Sequence, residues 1–245
     1  VRGAKLSSTK AYLDLLKLSL TDEIYAGCRK QGDPRPERAH TMLSVERLQN
    51  IQECIDAVID RGIDGDLFQA GVWRGGAAAF MGLAAQALIW KRRGRGLSAG
   101  FRPVWAADSF CGFPPAARPE DRVFRPGDMS VTPSEVKANL KAHGAKTLVH
   151  LWKGYFSDSL PRWSGQFCHR KLAVLHIDAD MYDSTQDCLE HLYKHVPVGG
   201  FVIIDDYGAH AECRAAVEDF RLTQGIIDEP VQVDWTAVYW RKSHA

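Results

Sequence analysis

The chain has 245 residues, enough for one large domain or for a domain with an appendage. Its hydrophobic fraction of 45% and charged fraction of 25% are those of an ordinary globular protein, and a net charge of +1 argues against a nucleic-acid binder driven by bulk electrostatics. No apolar run approaches the roughly twenty residues that span a bilayer, and residues 1 to 10 lack a signal-peptide pattern, so neither a membrane nor secretion is expected. The six cysteines (Cys28, Cys54, Cys111, Cys168, Cys188, Cys213) show no C-x-x-C spacing, and the nine histidines form no H-E-x-x-H motif. A reduced, cytoplasmic protein without a zinc site is the expectation.

Residues 8 to 28 are expected to form a first helix, with Leu13, Leu15, Leu16, Leu18 and Leu20 as its apolar mass. A loop rich in Gly and Pro at 32 to 36 leads to His40-Thr41-Met42-Leu43. Ser44 can cap the next helix, where Val45, Leu48, Ile51, Ile55, Val58 and Ile59 recur at helical spacing. From residue 66 onward strands alternate with helices. The strands are read at 67 to 70, 104 to 107, 147 to 152, 172 to 177 and 201 to 204. Thr132-Pro133-Ser134-Glu135 is a capping box with Pro at the first helical position, and Gly144 ends that helix. Residues 231 to 240 alternate polar and apolar side chains and are expected to be one late strand, with an antiparallel placement open. The pattern predicts an α/β fold, a doubly wound, mostly parallel sheet. Residues 1 to 60 would be an N-terminal helical appendage or lid over the ligand crevice, and residues 61 to 245 the main domain.

Two apolar runs end abruptly at carboxylates: Leu172 to Ile177 runs into Asp178-Ala179-Asp180, and Phe201 to Ile204 into Asp205-Asp206. The segment between them is helical in pattern, so the two strands should lie parallel through a right-handed crossover. Their carboxylates would then meet at the sheet edge where open α/β proteins bind ligands. Asp often ends a strand or caps a helix for purely structural reasons, and Asp183-Ser184-Thr185 looks like a helix start in its own right. Acidic residues on two adjacent strands go further, because such a cluster repels itself unless a hard divalent cation such as Mg²⁺ neutralises it.

The first strand is followed by Gly71-Val72-Trp73-Arg74-Gly75-Gly76. Glycines in a strand-to-helix turn admit close approach of a ligand to the backbone, although the spacing is not G-x-G-x-x-G. The second strand ends at Asp108-Ser109, where a carboxylate is placed to accept hydrogen bonds from both ribose hydroxyls of an adenosine-containing cofactor.

Taken together, HTMLSVERLQNIQ (40–52), GDLFQAGVWRGGAAAFM (65–81), VWAADSFCGFP (104–114), GYFSDSLP (154–161), LAVLHIDADMYDST (172–185), VGGFVIIDDYG (198–208), CRAAVEDFR (213–221) and DWTAVYWR (234–241) resemble the TylF/MycF-type O-methyltransferases of antibiotic biosynthesis, which include the macrocin O-methyltransferases. The resemblance implies a class I methyltransferase (Rossmann-like) fold. It also implies S-adenosylmethionine and a divalent metal, usually Mg²⁺, in methylation of a sugar hydroxyl on a natural product. It places metal ligands at Asp178, Asp205 and Asp206, and cofactor contacts at Thr41, Met42, Gly71, Trp73, Arg74, Gly75, Asp108 and Ser109. Asp180 is the candidate base, with Asp178 as the alternative. This chain has Gln69-Ala70 where the family usually has Glu-Thr, and His176 where Arg or Leu is more frequent. A phenol or catechol hydroxyl, or an aminosugar nitrogen, is the alternative acceptor. The acceptor pocket is expected from residues 20 to 44, 113 to 131 and 207 to 213, with Tyr25, Phe113, Phe124, Tyr207 and His210 as candidate contacts. The expected partner is a small-molecule acceptor, with no nucleic acid or membrane and with a homodimer plausible from the apolar appendage.

Overall fold

Five short apolar runs form the parallel part of one sheet: β1 (Asp66–Ala70), β2 (Val104–Asp108), β3 (Val149–Lys153), β4 (Leu172–Ile177) and β5 (Phe201–Ile204). In this computed structural model, which describes residues 8–23, 38–94, 96 and 100–244, two further strands follow, β6 (Val231–Gln232) and β7 (Val238–Arg241). Tyr25, Cys28, the end of the expected first helix and the loop at 32 to 36 lie outside the described residues. The strand order is β3-β2-β1-β4-β5-β7-β6, with β7 antiparallel to both β5 and β6. Because the chain moves outward from β1 to β3 and then returns to β4 on the other side, the β1–β4 junction is the switch point where a crevice opens.

Alternation within the strands sorts side chains onto two faces. Phe201 and Ile203 join one core, and Val202 and Ile204 the other. The first core is covered by α1 (Ser8–Leu20), α2 (Val45–Asp60), α3 (Gly76–Arg93) and α4 (Pro133–Ala142). The second is covered by α5 (Phe156–Gln166), α6 (Tyr182–Leu192) and α7 (Ala211–Gln224). Leu48, Ile51, Ile55 and Val58 of α2 are wholly buried, each worth about 1.5–3 kcal/mol of transfer free energy. The two N-terminal helices are thus seated on the sheet's own core.

Local chemistry sets the boundaries. Ser44 accepts the Arg47 N–H to cap α2, and Thr132 and Glu135 form the reciprocal capping box of α4. The first helix stops at Leu20, earlier than the sequence suggests, because the Thr21 hydroxyl bonds back to the Lys17 carbonyl and Asp22 turns left-handed (φ 60°). Residues 231 to 240 are two strands rather than one: Asp234 Oδ1 accepts the Thr236 and Ala237 amides, and this side-chain turn folds the segment into a hairpin. The antiparallel placement that the alternation left open is realised in β7. No described helix is long and apolar enough to cross a membrane, and the five described cysteines are free.

Candidate active site

The hydrogen-bond ladder runs one residue past each strand. Gly71 donates to the Ala107 carbonyl, Asp178 to Ala70, Asp205 to Ile177 and Gly154 to Asp108, all at 2.9 Å. Main-chain bonds therefore fix the positions at which the acidic residues leave the sheet. A Cβ at residue 71 would stand 1.8 Å from the Asp178 carbonyl oxygen, so only glycine (φ 85°) lets the first turn lie against the fourth strand's end.

Above these ends opens a cavity of about 310 Å³. Of the residues singled out from the sequence, Met42, Gly71, Trp73, Asp108, Ser109, Asp178 and Asp180 line it. Thr41 is buried beneath the rim, its hydroxyl accepting the Leu43 N–H. Arg74 turns away from the cavity, donating to the Ala39 carbonyl at 2.9 Å, and Gly75 (φ 86°) ends the turn as the N-cap of α3. Asp205 and Asp206 are buried rather than lining the cavity. Trp73 (φ 44°), Met129 (φ 65°) and Asp180 (φ 55°) line the cavity with left-handed backbone, which non-glycine residues adopt rarely and mostly where the surroundings enforce it.

Asp108 is heavily committed. Its Oδ2 accepts the Val72 N–H at 2.7 Å and its Oδ1 the Phe110 N–H at 2.7 Å, so it ties the two turns together while still facing the cavity.

Asp178, Asp205 and Asp206 bring carboxylate oxygens within 4.8 Å of one another. At such separations each pair of like charges costs roughly 3–4 kcal/mol at an effective dielectric near 20. Burial, followed by repulsion from Asp205, Asp206 and Asp180, pushes the Asp178 carboxyl well above its ordinary value. Burial and the charges of Asp180 and Asp205 do the same to Asp206. Arg47 of α2 offers partial compensation, bridging Asp205 and Asp234 at 2.5 and 2.9 Å. Asp205 Oδ1 is buried without a hydrogen bond; His176 Nε2 stands 3.6 Å from it, beyond hydrogen-bond reach. An all-oxygen, mutually repelling set with an unsatisfied buried oxygen fits a hard divalent cation such as Mg²⁺.

Asp180 Oδ1 lies 3.3 Å from His210 Nε2, and this contact raises the His210 pKa against the opposing effect of its burial. Phe113 lines the cavity, and Phe124 packs between it and His210, with centroids 5.0 Å apart on each side. Tyr207 instead hydrogen-bonds Glu218. Gln69 and His176 are partners in register across β1 and β4; both are buried, and neither Gln69 Oε1 nor either His176 nitrogen makes a hydrogen bond among the described residues. His191 and His195 stand four residues apart, a metal-like spacing that the sequence expectation overlooked. His195 spends its ring nitrogens on Ser164 and the Arg170 carbonyl.

Sequence reasoning missed several contributors. Tyr155, Phe156 and Ser157 line the cavity just beyond β3, and the strand-end rule that selected Asp108 could have found them. Asp183 and Asp187 line it from α6; burial and the charges of Glu190, Asp183 and Asp158 raise Asp187 to about 6. The Arg47–Asp234 pair joins residues 187 positions apart, and no local pattern announces it.

Five parallel strands in the order 3-2-1-4-5, extended by an antiparallel β7 and with the crevice at the switch point, define the class I methyltransferase fold. The structure superposes on that of the O-methyltransferase NovP with a TM-score of 0.81 at 33% identity, over 97% of this chain and 100% of that one. It also shares its fold with CalS11, a calicheamicin methyltransferase, at a TM-score of 0.64 and 16% identity, over 97% of this chain and 94% of that one. The chain belongs to the macrocin-O-methyltransferase (TylF) family, matched over residues 18–242, and is an O-methyltransferase. It is 40% identical to an 8-demethyl-8-(2,3-dimethoxy-α-L-rhamnosyl)-tetracenomycin-C 4'-O-methyltransferase of Streptomyces olivaceus, over 96% of this chain and 93% of that protein. It is 35% identical to the mycinamicin III 3''-O-methyltransferase of Micromonospora griseorubida, over 97% and 98% respectively.

Proposed function

We propose that this enzyme methylates a hydroxyl on the sugar of a glycosylated natural product, using S-adenosylmethionine and a divalent cation, Mg²⁺. The observation that carries the reading is the placement of the Asp178–Asp205–Asp206 cluster at strand ends beside the cavity that Gly71 and Asp108 also line. The acceptors named for the relatives are a rhamnosyl tetracenomycin and mycinamicin III, methylated at 4' and 3'' oxygens, which supports a sugar hydroxyl.

When bound, S-adenosylmethionine supplies an electrophilic methyl group, and the cation supplies positive charge that makes a hydroxyl more acidic. The chain's residues do the rest. Asp178, Asp205 and Asp206 hold the cation. Asp108 accepts from the cofactor ribose, while Gly71 lets its turn lie against the Asp178 end of β4, beside the methionine part. Trp73, Ser109 and Met42 close the cofactor end, supported from behind by Thr41, Arg74 and Gly75. Asp180 takes the acceptor proton on a carboxylate oxygen, and fixed placement of oxygen and methyl supplies most of the remaining rate. In this scheme residues 1 to 60 are the appendage that brings Thr41 and Met42 to the rim of a catalytic unit at 61 to 245.

The test strips the enzyme with chelator and follows both turnover and melting temperature. Turnover of the rhamnosyl tetracenomycin should vanish and return with Mg²⁺, and Mg²⁺ should raise the melting temperature of wild type but not of Asp206→Asn. Full activity after metal removal would sink the metal assignment.

A further inference from the structure

Asp180 sits in the turn after β4 with left-handed backbone (φ 55°), so no regular element fixes its carboxylate. An Asp χ2 torsion is broad and roughly two-fold, which leaves an unsupported carboxylate free to swing. Contacts from the turn after β5 restrain its backbone and one carboxylate oxygen. The Asp180 N–H donates to Asp206 Oδ2 at 3.1 Å, and its Oδ1 meets His210 Nε2 at 3.3 Å. The His210 backbone N–H donates to the Asp206 carbonyl at 2.9 Å, which fixes the residue's main chain at the entrance to α7. From the other side Phe124 packs edge-on against the ring, and Phe124 itself packs on the cavity-lining Phe113.

We propose that His210 is a positioning residue for Asp180: its Nε2–H holds Oδ1 and thereby presents the other carboxylate oxygen to the acceptor hydroxyl. The inference rests on Asp180 acting as the base. Its value lies in geometry, since a misplacement of about 1 Å at a reacting centre can cost on the order of 10²-fold in rate. The Phe113–Phe124–His210 chain adds a specificity element. An acceptor ring that presses on Phe113 pushes, through Phe124, on the group that aims the base.

Two variants separate donor from packing. His210→Phe keeps a ring against Phe124 and loses the donor, whereas His210→Gln places an amide N–H near the position of Nε2. With the rhamnosyl tetracenomycin and mycinamicin III as probe acceptors, His210→Phe should lower kcat by about 10–100-fold, in keeping with the cost of a displaced reacting group. KM for S-adenosylmethionine and the Mg²⁺ concentration for half-activation should not move, and His210→Gln should recover most of the rate. In an Asp180→Asn background, His210→Phe should have little further effect. A readout independent of turnover is the ring N–H proton of His210 in ¹⁵N-histidine-labelled protein. It should be protected from exchange in wild type and lost in Asp180→Ala.

Equal losses in the Phe and Gln variants, or an unprotected ring proton, would overturn the inference. So would a raised Mg²⁺ requirement, because Asp180, Asp206 and His210 also bring donor atoms within 4.8 Å and the histidine would then be a ligand. A slow Asp180→Asn beside a fully active His210→Phe would fell this inference alone, whereas a fully active Asp180→Asn would fell the base assignment with it.

Discussion

Asp108 shows how one side chain serves both architecture and ligand. Its carboxylate receives the amides of Val72 and Phe110, so Asp108→Ala would leave two turn N–H groups without their acceptor. We expect the variant to weaken S-adenosylmethionine binding by about 1.5–3 kcal/mol, the range for hydrogen bonds to a charged group, and to lower the melting temperature as well. Calorimetry giving an unchanged affinity would refute the ribose assignment. Gly71 makes the complementary case. In Gly71→Ala the left-handed φ costs about 1–3 kcal/mol and the new methyl must displace the Asp178 carbonyl, so both folding stability and the Mg²⁺-induced rise in melting temperature should drop. A variant that keeps the full Mg²⁺ response would show that the turn and the acidic cluster are independent. At this scale the sequence was legible wherever a candidate site residue sits at a strand end, as at Asp108, Asp178 and Asp205. It was silent on Arg47 and Asp234, because neither lies at a strand end and their pairing exists only once α2 packs beside the final hairpin.

Elements with a multi-residue signature were read correctly from sequence, whereas boundaries set by a single side-chain or turn hydrogen bond were not. The α4 capping box is a four-residue device and was visible as such, while the break between β6 and β7 depends on one side chain, Asp234, taking the place of a strand partner. The third strand begins at Val149 rather than at the expected residue 147, because Leu148 N–H closes a turn onto the Ala145 carbonyl. The capping box also yields a clean element-scale prediction. Thr132→Ala should lower unfolding free energy by about 0.5–2 kcal/mol, measured by denaturant titration. Thr132 is exposed and does not line the cavity, so kcat should stay within roughly two-fold of wild type. A large loss of rate without a loss of stability would mean that α4 shapes the cofactor end directly, through Val136, which closely approaches Gly75.

On the scale of the whole molecule, a segment that precedes α2 ties α3 and α4 together at the cavity rim. His40 lies at its centre: its carbonyl receives the Gly76 N–H at 2.7 Å at the start of α3, and its Nδ1 meets His143 Nε2 at 2.7 Å at the end of α4. The next two residues are Thr41 and Met42, so the histidine pair joins the N-terminal helices to the cofactor end. A hydrogen bond between two ring nitrogens needs an acceptor, and doubly protonated rings cannot supply one. Burial, then the charge of Arg74, lowers the His40 pKa; burial, then the charge of His40, lowers that of His143. With both depressed in the folded state, the unfolded chain binds more protons below its ordinary histidine value of about 6.5. The pair's contribution to stability is therefore present above that value and is lost as pH falls through the folded pKa values. Carboxyls with raised pKa, such as Asp178 and Asp206, act in the opposite sense, so the measurement must be a difference between two proteins. His143→Gln retains a hydrogen-bonding side chain that does not titrate. Between pH 7.5 and 5.5 the melting temperature of wild type should fall more steeply than that of this variant. S-adenosylmethionine affinity should weaken with acid in wild type and change less in His143→Gln, because the loosened segment carries the rim. Parallel curves for the two proteins, in both stability and affinity, would remove the histidine pair from any role in holding the segment of Thr41 and Met42 at the cavity rim.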